Sequence, residues 1–199
     1  MCYLKKFVLI PVVATTLITS ASLASAAAIE GAYIALDLGR SSFKNGCGSV
    51  SSPYKNCKNY DFSHRTTLGY QIDWSNAAEL SYFSSGQFSK NGIGNNADTL
   101  NSVEWQLSGL KYFQVGPPGM HFSVFGRLGI SHWELAEAIF SNPRTDASGN
   151  SVLFGIGTMH EFSPATAARI QYEFHKAGNN TTSWQGNISF LSFGINYQF

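Results

Sequence analysis

The side-chain pattern of this chain predicts an all-β fold: an eight-stranded antiparallel up-and-down barrel that spans a membrane with its outer face in lipid. Three observations predict it. The chain ends inside a strand, with Ser189, Leu191, Phe193, Ile195, Tyr197 and Phe199 on one face and Phe190, Ser192, Gly194, Asn196 and Gln198 on the other. Alternation with period two is the strand signature. Terminal residues normally fray, whereas the last strand of a closed barrel must pair with the first. Second, the connections between alternating segments are long and short by turns. Third, the amino terminus reads as an export signal.

That signal comprises Lys5 and Lys6, an apolar stretch from Phe7 to Ile18 and the small-residue run Ala24-Ser25-Ala26. The stretch is too short to cross about 30 Å of hydrocarbon, and no stop-transfer charge follows. Residues 1–26 are therefore expected to be removed, leaving 27–199 as one barrel domain. Without Lys5 and Lys6, eleven basic groups face twelve acidic ones, so no basic field exists for nucleic acid. Cys47 and Cys57 remain in a Gly/Ser/Asn-rich segment, and an even pair in an exported chain predicts a disulfide. Closing so short a loop is worth about 2 to 3 kcal/mol.

The first strand, about Ala32 to Arg40, sets Ala32, Ile34, Leu36 and Leu38 against Tyr33, Ala35, Asp37 and Gly39. A long polar segment, Ser41 to Asp61, follows. The second, Phe62 to Trp74, turns Phe62, Thr66, Leu68, Tyr70, Ile72 and Trp74 outward and Arg65, Thr67, Gly69, Gln71 and Asp73 inward. Ser75-Asn76 makes a tight turn. The third, Ala77 to Ser84, opposes Leu80 and Tyr82 to Glu79 and Ser81, and a polar stretch continues to Leu100.

The fourth, Asn101 to Phe113, opposes Val103, Trp105, Leu107 and Gly109 to Glu104, Gln106 and Ser108. Lys111 falls on the apolar face near the strand end, where its stem can snorkel. Gly116-Pro117-Pro118-Gly119 breaks the chain. The fifth, Phe122 to Trp133, puts Arg127, Gly129 and Ser131 inward. Glu134 to Asn150 is the third long loop, with a short helical turn expected over Leu135 to Phe140. The sixth, Ser151 to Phe162, turns Gly155, Gly157, Met159 and Glu161 inward. After Ser163-Pro164 the seventh, Thr166 to His175, turns Arg169, Gln171 and Glu173 inward, and the Gly178–Thr181 loop leads to the last strand. Long loops on one side and short turns on the other are the asymmetry of outer loops over periplasmic turns.

Roughly ten tilted residues per strand cross the apolar band. Trp74, Phe113, Phe162 and Phe199 fall near the short-turn ends and Tyr82 and Phe174 nearer the long loops, as two aromatic girdles. A soluble barrel of the lipocalin type would instead put the apolar faces inside. The polar set favours the membrane reading: Arg65, Glu79, Glu104, Arg127, Glu161, Arg169 and Glu173 would meet in one lumen and neutralise one another. An interior so filled is a plug rather than an open channel.

Several of these segments resemble the amino-terminal barrel of outer membrane protein A and related small bacterial surface barrels. They are Gly31-Ala32-Tyr33, Gly69-Tyr70, Glu79-Leu80-Ser81-Tyr82, Phe125-Gly126-Arg127-Leu128-Gly129, Ser163-Pro164 with Ala168-Arg169, and Phe193 to Phe199. The resemblance implies an outer-membrane location, both termini periplasmic, with Glu79, Arg127 and Arg169 in an interior ion network and Glu79 paired with Arg169. It also implies that Phe199 serves as the signal for the barrel assembly machinery. The family pattern places a lysine near Ser108 or Gly109 and an acid near Met159; this chain has neither. The peptidoglycan-binding domain of larger members is not expected here.

The function expected from these features is non-enzymatic: envelope integrity and surface display of four loops, in contact with outer-membrane lipids and lipopolysaccharide. Tyr54, Lys55, Lys58 and Tyr60 in the first loop are candidates for contact with lipopolysaccharide or with a host or phage surface ligand. A small or gated pore and a lipid-modifying enzyme are the alternatives. Hydrolysis needs nucleophile, base and orienting group in reach. Ser131 and His132 are neighbours on one strand and point to opposite faces, Glu134 lies nearby, and His160 and Thr158 share a face without an acid. His64 and His175 read as isolated. No cofactor and no metal site is expected, since no histidines or acids repeat a ligand spacing. A monomer is expected, with Trp105 and Gly109 as the outward residues that another barrel would meet.

Overall fold

A computed structural model describes residues 30–44, 56–91, 97–115, 121–139, 142–178 and 186–199. The strands are β1 (Gly31–Lys44), β2 (Asn56–Lys58), β3 (Tyr60–Asp73), β4 (Asn76–Asn91), β5 (Ala97–Gln114), β6 (Phe122–Ile139), β7 (Asn142–Ser163), β8 (Thr166–Ala177) and β9 (Gly186–Gln198). All pairings are antiparallel between neighbours, and β1 bonds both β3 and β9. Pairing of β4 with β5 joins the two ends of the sheet, so eight long strands form a closed up-and-down barrel. The short β2 is a fragment of the first long connection laid along the outer end of β4.

The strands run further into the long connections than alternation alone suggested. The helical turn expected over Leu135 to Phe140 is corrected: Leu135 to Ile139 continue β6 and pair with β7. Cross-strand pairing with β7 satisfies these amides whatever the side chains, so a segment whose residues also suit a helix remains in the strand. The expected signal segment and Cys47 lie outside the described residues, as do Tyr54 and Lys55; Cys57 lies in β2, its side chain undescribed.

Which face is inside is settled by burial. Ile34, Leu36, Leu38, Leu68, Leu107, Leu128, Ile156, Ile170 and Phe193 are exposed, while Asp37, Arg65, Glu79, Glu104, Arg169 and Glu173 are at most 1% exposed. A water-soluble fold cannot stand this inversion, whereas a bilayer requires it. No helix is long and apolar enough to cross a membrane among the described residues; the strands do the crossing. Trp74, Phe113, Phe162 and Phe199 project outward at the short-turn end.

The interior is layered. At the short-turn end Tyr33, Ala77, Leu110, Tyr112 and Phe125 pack together with Met159. At the long-loop end Phe43, Phe83, Phe88, Leu100, Trp133, Leu135, Ile188 and Phe190 form a second apolar cluster. The charged layer lies between them.

Candidate functional site

Period two aims one charged side chain after another from β1, β3, β4, β5, β6 and β8 into that middle layer. Asp37 of β1 is its centre. Its carboxylate accepts from Arg169 Nε at 2.8 Å and Arg169 Nη2 at 2.6 Å, a bidentate fork, and from Arg65 Nε at 3.0 Å and Gln171 Nε2 at 3.0 Å. Arg169 extends its third nitrogen, Nη1, to Glu79 Oε1 at 2.5 Å, and the Tyr33 hydroxyl donates to the same oxygen at 2.7 Å. Forked, charge-assisted contacts of this kind are the strong ones.

Glu173 of β8 continues the network. It accepts from Arg65 Nη1 and, at 3.4 Å, from Gln106 Nε2. Arg127 of β6 is held less tightly. Its Nη1 lies 3.2 Å from Glu79 Oε2 and 3.5 Å from Glu173 Oε2, without hydrogen-bond geometry, and its Nη2 donates to Ser81 Oγ at 3.1 Å. Arg65 also lies under the outer cluster, 5.5 Å from the Phe190 ring centre.

Glu104 of β5 stands apart from the arginines. It accepts from Ser131 Oγ at 2.6 Å, Ser102 Oγ at 3.0 Å and Gln106 Nε2 at 3.3 Å, and faces His175 Nε2 at 2.9 Å. The carboxylate thus separates the serine from the imidazole. Ser131 Oγ meets the Glu104 carboxylate rather than the imidazole, and the group lies buried beneath apolar rings, so the serine–imidazole–acid order of a hydrolase triad is not formed.

Six of the seven residues read from the sequence as an interior network, Arg65, Glu79, Glu104, Arg127, Arg169 and Glu173, are buried in this layer. Glu161 does not join them, which is a correction. It sits at the short-turn end of β7 with its side chain 43% exposed, 3.8 Å from His121. Its strand position beyond Met159 carries it past the apolar cluster into the rim. The isolation expected of His175 is likewise corrected by its contact with Glu104. Asp37, the centre of the network, is not among the seven charges that the sequence pattern gathers in the lumen; the signal for it is a carboxylate at an alternating position among Tyr33, Ala35 and Gly39.

Other candidates lie elsewhere. His132 is outside the barrel, bonded to Asn150 Oδ1 at 2.8 Å and 4.0 Å from Glu134. Lys58 pairs with Asp61 at 2.7 Å, and Tyr60 lies under Arg40, whose guanidinium is 3.7 Å from the ring centre. Phe199 donates its N–H to the carbonyl of Ala32 at 3.0 Å. Among the described residues no group of three or more His, Cys, Asp or Glu could hold a metal.

The family described as OmpA-like transmembrane domain matches residues 27–199. Among solved structures, Neisserial surface protein A superposes with a TM-score of 0.62 at 15% identity, covering 85% of this chain and 97% of that one. Ail, the attachment invasion locus protein of Yersinia pestis, gives 0.53 at 16% identity over 86% of this chain and all of the other, at 100%. OprG of Pseudomonas aeruginosa gives 0.55 at 12% identity, covering 85% and 98%. Likeness at this identity carries the fold. No curated protein sequence matches the chain.

Proposed function

The chain belongs to the OmpA-like transmembrane domain family, and from that membership and its capped interior we propose that it is a non-conducting barrel serving envelope integrity and loop display. It is a non-enzymatic protein of the outer membrane. The observation that carries the rest is the order of layers in the lumen, with neutralised charges between an apolar cluster at either end. An ion entering from either side meets an apolar cluster with aromatic rings before the buried charged layer, whose arginines are already engaged by carboxylates.

The long-loop end faces outward, carrying four connections, and both termini lie on the periplasmic side. The first loop, with Tyr54, Lys55, Lys58 and Tyr60, is the proposed contact surface for lipopolysaccharide or a host or phage ligand, stapled by Cys47 and Cys57. Phe199 is the residue offered to the assembly machinery, and the barrel acts as a monomer.

Single-channel recording of refolded protein in a planar bilayer tests the reading. Silence from protein that shifts on a gel when boiled is the expected result. Reproducible conductance steps that change in Arg127→Ala or Glu79→Gln protein would replace it with a pore through the lumen.

A further inference from the structure

The outward wall at the long-loop end carries its charge on one side. Lys44 of β1 pairs in register with Asn187 of β9, and Asn187 with Lys176 of β8. All three side chains are exposed, so they form one row across three adjacent strands. Strand spacing puts the two lysine positions about 10 Å apart. Arg40, on the same face of β1 and four residues nearer the belt, is held over the Tyr60 ring at 3.7 Å. Between row and arginine the hydroxyls of Ser42 and Ser189 bond each other at 2.8 Å.

No carboxylate shares this wall. The outward residues of β1, β8 and β9 are apolar, hydroxyl, amide or cationic, and residues 45–55 and 179–185 of the adjoining loops contain no Asp or Glu. Asp61, the first acid after β1, is engaged by Lys58 at 2.7 Å. Among the described residues Lys44 and Lys176 have no ion-pair partner. Toward the membrane, Phe174 lies two residues below Lys176, Leu191 four below Asn187 and Leu38 two below Arg40, all exposed members of the apolar belt. Across the barrel, β6 presents the exposed carboxylate of Glu134 instead.

Two ammonium groups without an ion-pair partner among the described residues, on the loop side of a lipid-facing belt, suit an anion that is itself anchored in the bilayer. A phosphorylated lipid supplies both halves of the match, phosphate to the lysines and acyl chains to Leu38, Phe174 and Leu191. We propose that Lys44, Lys176 and Arg40, with the Asn187 amide between the lysines, form a binding site for the phosphorylated headgroup of an outer-leaflet glycolipid. The site lies on the β8–β9–β1 wall, so the lipid docks against the seam where the last strand meets the first. The inference rests on the outer-membrane reading above and adds the position and chemistry of the lipid contact.

Full-length protein folded in zwitterionic detergent, titrated with bisphosphorylated lipid A at low salt, tests it. Each lysine removed is expected to weaken binding about 5-fold, and Lys44→Gln with Lys176→Gln together roughly 25-fold. Lys111→Gln, at the opposite end of the barrel, is the control expected to bind as the parent does. Lipid A stripped of its phosphates is expected to lose the lysine dependence. Parent-like binding by the double variant overturns the proposal. So does displacement of lipid A by equimolar inorganic phosphate, which would make the site one for a free anion. Gel migration before and after boiling separates the failures: no lipid binding by heat-modifiable protein overturns the site alone, whereas protein that is not heat-modifiable overturns the barrel reading with it.

Discussion

Asp37 and Gly194 face each other across the seam between β1 and β9, and the carboxylate occupies the space a side chain at 194 would need. A Cβ there would stand 2.0 Å from Asp37 Oδ1. The closing strand therefore contributes an absence to the charged layer. Tyr33 and Gly69 repeat the relationship across β1 and β3, where the ring lies over the glycine and its hydroxyl reaches Glu79.

Gly194→Ala is expected to push Asp37 off Arg169 and Arg65 and to cost about 1 to 3 kcal/mol, the range for overpacking a filled interior. Urea unfolding of the refolded barrel reads this directly. An unchanged midpoint would mean that the carboxylate finds an equivalent position.

Arg169→Ala removes three bonds to two carboxylates and leaves Asp37 and Glu79 partly unpaired. The expected loss is about 3 to 5 kcal/mol. Arg127→Ala, whose contacts are longer, is expected to lose less. Equal losses in the same urea assay would show that the network responds as one unit rather than bond by bond.

Asp73 offers a pH dependence outside the spanning region. In the tight turn its carboxylate accepts from the Asn76 amide at 2.6 Å and the Ser75 N–H at 2.7 Å, which hold its pKa at about 2. Because the folded value is depressed, the turn's contribution is present above the ordinary carboxylate value of about 3.9 and disappears as pH falls through the folded value. Asn76→Ala is expected to move the Asp73 titration upward, followed by NMR. A titration that stays where it was would assign the shift to the backbone donor.

Deleting Phe199 removes the N–H that bonds Ala32 at the seam and the residue proposed for recognition by the assembly machinery. Outer-membrane insertion is expected to fall while export continues, as read from the fractionation of expressed protein. Normal insertion of the truncated chain would place the recognition elsewhere.

Local pattern alone carried strand identity, because period two is written in consecutive residues: Leu191, Phe193 and Ile195 against Ser192, Gly194 and Asn196. It carried the strand number and the identity of most inward charges for the same reason. Tertiary structure decided what those charges meet. Asp37 and Arg169 are 132 residues apart and come together only because the closed sheet places β1 and β8 on either side of β9. It also decided that Glu161, in phase with the interior, lies beyond the apolar layer, and that Phe83 and Phe190, 4.8 Å apart, cap the charges from above. Alternation says which face a residue takes, whereas depth along the barrel and partner across it depend on register and closure, which are properties of the whole sheet.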